Sequence, residues 1–158
     1  MKADKGQIDR ALKAPAGTRF FLLYGQDESG SRALMRLLGD AMGKDAERVD
    51  LAGAELRADP ARLADEAGAI SLFGGARYIV VDPAGDETLA AVEALQEAPA
   101  GGNPVVLLAG ALKPSSKLLK LALGDPSIRE PEELRGGDGL YDRDRAEEPL
   151  CAREQLAA

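Results

Sequence analysis

The chain has 158 residues, enough for one domain with a real core, and its 45% apolar and 30% charged content is that of a globular protein. A net charge of −7 argues against unaided binding to nucleic acid, whose phosphates call for a basic surface. With no His and the single Cys151, an internal disulfide framework, a His/Cys zinc centre and a Ser-His-Asp triad are all excluded. No apolar run approaches the roughly 20 residues of a membrane span, and Met1 to Gly17 lacks the apolar centre of a signal peptide, so the expected location is cytoplasmic.

Ile8, Ala11 and Leu12 keep helical spacing, which predicts a short entry helix ending at Pro15-Ala16-Gly17. Arg19 to Tyr24 is a continuous apolar run closed by Gly25, as in a strand buried on both faces of a parallel sheet. A helix follows with Leu34, Leu37, Leu38 and Met42 on one face, and the short alternation Arg48-Val49-Asp50-Leu51 reads as a second strand. Asp59-Pro60 reads as the start of the next helix, Asp capping it and Pro at its first helical position, with Leu63, Ala67 and Ile70 facing inward. Arg77 to Val81 is a third strand, stopped by Asp82-Pro83. Asp86 is placed to cap a helix carrying Leu89, Val92 and Leu95. Pro104 to Gly110 is a fourth strand, and a last helix from about Ser115 to Leu123 sets Leu118, Leu119 and Ala122 inward with Lys117 and Lys120 outward.

Strands alternating with helices on short connections predict a parallel α/β sheet covered by helices, complete or nearly so by residue 123. From Gly124 to Ala158 the chain turns charged and poor in apolar residues, and this tail is expected to be disordered or aberrant. Cys151 lies in it and reads as incidental.

Two stretches carry candidate chemistry. Gly25 and Gly30 lie between the first strand and its helix with the spacing of the phosphate-binding motif G-x-x-x-x-G-K-[ST]. That motif needs a Lys to reach the terminal phosphates and a hydroxyl to hold magnesium, and here Ser31 and Arg32 occupy those positions. Asp27 and Glu28 add negative charge inside the would-be cradle. Asp82 stands where a magnesium-binding Asp would, but Pro83 follows it in place of a catalytic carboxylate. The loop therefore has the layout of an ATPase without its reactive groups. The alternative it leaves is a small nucleotide-binding enzyme using Gly25–Gly30 with Asp82.

The second stretch is Ile70-Ser71-Leu72-Phe73-Gly74-Gly75. Large apolar side chains beside a Gly-Gly corner can plug a core. They can also stand on an exposed knuckle and enter a pocket on a partner, where such anchors carry most of an interface's energy.

Taken in order, these segments resemble the N-terminal domain of the delta subunits of bacterial DNA polymerase III clamp loaders. The resemblance runs from about Ile8 to Leu123. It is carried by Phe21 to Glu28, Ile70 to Gly74, Tyr78 to Asp82, Pro104 to Leu108 and the Lys-bearing helix that follows. It implies an AAA+-like domain that has lost ATP binding, with no cofactor, metal or catalytic residue of its own. It also implies a wrench in DNA replication, which binds the ring-shaped sliding clamp (the beta subunit) and opens one interface so that DNA can enter. DNA is then met only through the complex, and any nucleotidyltransferase activity belongs to the DNA-directed DNA polymerase holoenzyme.

Clamp-binding segments look like Gln-Leu-Ser-Leu-Phe, so the resemblance assigns Ile70, Ser71, Leu72 and Phe73 to the clamp, with Ala69 departing by lacking the amide. The chain departs further after Leu123. Delta subunits continue into a helical lid and a collar that joins the other loader subunits, whereas here the charged tail follows. A truncated or frame-shifted reading frame is the expectation, and with it either a domain that binds a clamp without loading it or a product with no activity.

Overall fold

The computed structural model describes residues 5–16, 18–99, 102–124 and 150–153. In chain order the elements are α1 (Lys5–Lys13), β1 (Phe21–Tyr24), α2 (Glu28–Met42), β2 (Glu47–Leu51), α3 (Gly53–Ala58), α4 (Ala61–Gly68) and β3 (Arg77–Val81). A single 3-10 turn (Asp86–Thr88), α5 (Leu89–Glu97), β4 (Val105–Ala109), α6 (Lys117–Ala122) and β5 (Leu150–Arg153) complete it. The strands form one five-stranded sheet in the order β2-β3-β4-β1-β5, every neighbouring pair parallel. Among the described residues, no helix is long and apolar enough to cross a membrane.

The apolar runs explain this sheet. Parallel strands covered on both faces must be apolar at every position, and β1 and β4 are buried throughout. Their register, Leu22 opposite Leu107 and Leu23 opposite Leu108, sends alternate side chains to opposite layers. Phe20, Leu22, Ile79, Val81, Val105 and Leu107 meet Leu56 of α3, Leu63 and Ala67 of α4, Val92 and Leu95 of α5, and Leu118 and Leu121 of α6. Phe21, Leu23, Val80, Val106 and Leu108 meet Ile8 and Leu12 of α1 and Leu34, Met35 and Leu38 of α2. β2 alternates between half-buried and exposed until Leu51, as suits a strand at the sheet margin, and its exposed Arg48 and Asp50 pair at 2.7 Å.

The parallel α/β architecture and its first four strands agree with the sequence reading. Several local expectations do not. Asp59 does not cap the start of α4. It closes α3, donating its N–H to Glu55 O at 2.9 Å, while Pro60 precedes α4 without a side-chain cap. The sequence reading had no α3, because its six residues are too few to display a period. Its start is marked by Glu55, whose carboxylate accepts from the Ala52 N–H at 2.8 Å.

Asp86 does not cap α5 either. It sits in the 3-10 turn, and its Oδ1 accepts from Ser116 Oγ at 2.5 Å and from Leu118 N at 3.0 Å, so its carboxylate serves the start of α6, 30 residues away. Burial would raise this carboxyl's pKa. The hydrogen bonds from Ser116 and from the Leu118 and Lys117 backbones, with the Lys117 charge, outweigh that and hold it below the ordinary carboxylate value.

The expectation of a disordered tail from Gly124 fails at Leu150–Arg153. These residues form β5 beside β1, with Cys151 opposite Leu22, so the sheet extends one strand past the expected boundary at 123. An isolated four-residue segment in a charged stretch carries no period of its own, and its pairing partner is distant in sequence. The rest of that tail, 125–149 and 154–158, lies outside the described residues.

Candidate functional site

α4 turns Leu63 and Ala67 inward and ends at Gly68. Ala69 is already extended (φ −71°, ψ 144°), so the helical register that would bury Ile70 is lost one residue before it. Ile70 is 88% exposed, Leu72 93% and Phe73 91%. The expected inward Ile70 is thus corrected, and neither Leu72 nor Phe73 plugs the core beneath the Gly74-Gly75 corner. Among the described residues the only other exposed large apolar side chain is Leu123, at 39%. Apart from Leu123, the described residues keep such groups buried or half-buried, and here the domain presents three within four residues.

The loop 69–76 has a defined shape. Gly74 donates its N–H to Ser71 O at 3.3 Å, and the Phe73 N–H reaches Ser71 Oγ at 3.4 Å, so the chain folds back between the two exposed anchors and the corner. Gly74 has φ +70°, where a residue with a Cβ is strained. Ser71 is half-buried, and its carbonyl and hydroxyl oxygens both accept within the turn.

The base of the loop is braced from both sides. Arg77, the first residue of β3, bonds through Nη2 to the Glu66 carboxylate at the end of α4, and its Nε lies 3.8 Å from Glu47 Oε1 on β2. From the connection before β4, Asn103 Nδ2 donates to Glu66 O at 3.1 Å and to Ala69 O at 2.6 Å, while its backbone N–H reaches Ala67 O at 2.7 Å. Gly102 makes that approach possible: a Cβ there would lie 2.5 Å from Ala67 O, and its φ is +108°. Sequence reasoning missed Asn103 and the Glu66–Arg77 pair. An Asn after two glycines reads as a turn residue, and nothing local reveals that its acceptors lie 34 and 37 residues away.

A cleft of about 310 Å³ lies beside this base, between α4 and α5, walled by Ala64, Ala67 and Leu95. The charged group on its lining, Arg19, is committed to carbonyls at the end of α5, donating to Leu95 O at 2.9 Å and Ala98 O at 2.7 Å. That guanidinium acts as a helix C-terminal cap.

The other candidate lies at the opposite end of the sheet. The connection leaving β1 feeds α2 on one face and that leaving β4 feeds α6 on the other, and between them the crevice at the strands' C-terminal ends is where α/β folds bind ligands. Gly25 and Gly30 of the phosphate-like loop lie here. The Asp27 carboxylate accepts from the Gly30 N–H at 3.0 Å and caps α2, so a negative charge already occupies the helix terminus that a phosphate would use. Ser31 is only 4% exposed, its Oγ turned into the protein without a hydrogen-bond partner among the described residues. Arg32 Nη2 lies 3.2 Å from Asp82 Oδ2, so the structure joins the residue in the hydroxyl position to the would-be magnesium ligand. A carboxylate paired with a guanidinium is a poor metal ligand. Among the described residues no cluster of three or more His, Cys, Asp and Glu side chains is shaped to hold a metal ion.

Comparison of the chain with protein-family models, with curated proteins and with solved structures finds no match in any of the three.

Proposed function

We propose that this chain binds a sliding clamp of the bacterial replication machinery through Ile70, Leu72 and Phe73, as the delta-subunit wrench of a clamp loader does, and that it does so without hydrolysing ATP. The observation that carries this reading is the exposure of those three side chains, at 88%, 93% and 91%, on a braced loop, where the other described large apolar groups except Leu123 are buried or half-buried. A monomer gains nothing from holding such a group in water, whereas a partner with an apolar pocket gains roughly 1.5–3 kcal/mol for each Leu or Phe it covers. Two such anchors could support a micromolar complex once neighbouring contacts contribute.

The nucleotide end supports the same reading. Asp27 capping α2 and Arg32 paired with Asp82 suit an AAA+-like domain whose phosphate loop is vestigial better than a small nucleotide-dependent enzyme. The partner is then the clamp itself, reached in the cytoplasm, with DNA met only through the assembled loader.

The test is binding of the full chain to a bacterial sliding clamp, followed by surface plasmon resonance, beside the Leu72→Ala/Phe73→Ala variant. Saturable binding that falls at least about 100-fold in the folded variant is expected, since the anchors supply roughly 3–6 kcal/mol. Magnesium-ATP is expected to leave the melting temperature unchanged, because a ligand that binds the native state must raise it. Absence of clamp binding by the folded parent, or a magnesium-dependent rise in melting temperature with ATP, would overturn the reading.

A further inference from the structure

We propose that Asn103 is a positioning residue for the apolar knuckle, holding the loop 69–76 in its binding shape before any partner arrives. The inference rests on the clamp-binding reading for its functional consequence, but its structural content stands on the loop alone. Two helix-end carbonyls, Glu66 O and Ala69 O, converge on one side-chain amide, at 3.1 and 2.6 Å. The same residue's backbone N–H takes a third, Ala67 O, at 2.7 Å. Carbonyls at and just past a helix C-terminus are short of intrahelical donors (Glu66 O takes only the Ala69 N–H, at 3.3 Å, from the helix end), and three of them are here gathered by a single residue from another part of the chain.

Ala69 is the pivot. It is the residue at which the chain leaves helical geometry, and the next residue is the first exposed anchor. Fixing its carbonyl fixes the direction in which Ile70 to Phe73 leave α4. Glu66 is held twice, by Asn103 at its carbonyl and by Arg77 at its carboxylate, so the helix that enters the loop and the strand that leaves it share one brace. No large apolar contact substitutes for this brace, because the loop's own large side chains point into water. A loop ordered before binding loses less conformational freedom on association, and affinity gained in that way needs no further contact with the partner.

The role differs from simple stabilisation and can be measured apart from it. Backbone ¹⁵N relaxation of the free full chain is expected to show the amides of Ser71 to Gly74 as ordered as those of α4 and β3. Asn103→Ala and the isosteric Asn103→Asp, which keeps the shape but turns the donors into acceptors facing two carbonyls, should both loosen those amides selectively. Clamp affinity should fall roughly 2- to 10-fold in each, with the clamp contacts themselves intact. In an Ile70→Ala/Leu72→Ala/Phe73→Ala background Asn103→Ala should have no further effect on clamp affinity, because no apolar anchor remains to be positioned.

Amides of Ser71 to Gly74 that are clearly more mobile than those of α4 and β3 in the free parent overturn the proposal, and that measurement needs neither a variant that folds nor a clamp. Unchanged loop order in both folded variants overturns it as well. If the loop loosens as expected but the parent does not bind the clamp, positioning stands and the clamp reading falls.

Discussion

Phe21 and Phe73 are the same side chain in opposite environments, and comparing their removal tests the exposed knuckle without any partner. Phe21 is fully buried in the layer between the sheet and α1–α2, whereas Phe73 is 91% exposed. Phe21→Ala takes away a buried ring and leaves a cavity that close-packed neighbours fill only in part, a change that costs about 3–5 kcal/mol. Out of a total stability on the order of 5–15 kcal/mol, that loss brings the protein near its unfolding threshold. Phe73→Ala removes almost no buried area, so its cost should stay within about 0.5 kcal/mol. Urea denaturation followed by circular dichroism measures both, because variants with the parent's slope can be compared through their midpoints. At roughly 2–4 °C per kcal/mol for a domain of this size, the same contrast in a thermal melt is about 6–20 °C for Phe21→Ala against a degree or two for Phe73→Ala. A Phe73→Ala cost above about 2 kcal/mol would place the ring in a core, and the site argument would fail with it.

Two further perturbations probe contacts the sequence did not disclose. Asp86→Ala removes the acceptor shared by Ser116 Oγ and the Leu118 N–H and should cost about 1 kcal/mol, as loss of a helix cap does. The folded-state pKa of Asp86 is depressed, so its contribution is fully present above the unfolded carboxylate value of about 3.9 and disappears as pH falls through the lower folded value; melts of parent and variant should converge only in that acidic window. Gly102→Ala forces a Cβ to 2.5 Å from Ala67 O at a φ of +108°, so it should destabilise by roughly 1–3 kcal/mol and disturb hydrogen exchange at the end of α4. A neutral Gly102→Ala would show that the connection before β4 does not press on α4.

The fold was legible where the hydrophobic pattern was long. The runs 19–24, 77–81 and 104–110 read as buried strands and the periodic face Leu34, Leu38 and Met42 as a helix, so the parallel α/β class followed. What was not legible depended on partners distant in sequence. Asp86 looks like a cap for the helix beside it, because capping rules are local, yet its carboxylate meets a helix start that folding brings near. Ile70 continues the spacing of Leu63 and Ala67, yet the helix stops at Gly68 and the side chain turns outward. The site residues themselves were readable as a conflict, since apolar side chains beside two glycines fit neither a helix nor a strand. Conflicts between local pattern and fold are expected where function has overridden stability.

The two candidate sites also lie at opposite ends of the sheet, and this bears on which of them acts. The knuckle enters β3 at its N-terminal end, and Asp82 and the Gly25 loop follow the C-terminal ends of β3 and β1. With five residues in β3 and about 3.3 Å per residue, the separation along the strand is about 17 Å, too far for direct contact between a side chain at one end and a ligand at the other. Enzymes of this architecture work at the C-terminal end, where here a capping carboxylate and an Arg–Asp pair occupy the crevice. The opposite end holds the exposed apolar anchors and their brace, which suit a protein surface rather than a small molecule. The docking role proposed above accounts for both ends at once. A small nucleotide-dependent enzyme would leave three exposed apolar side chains without a purpose.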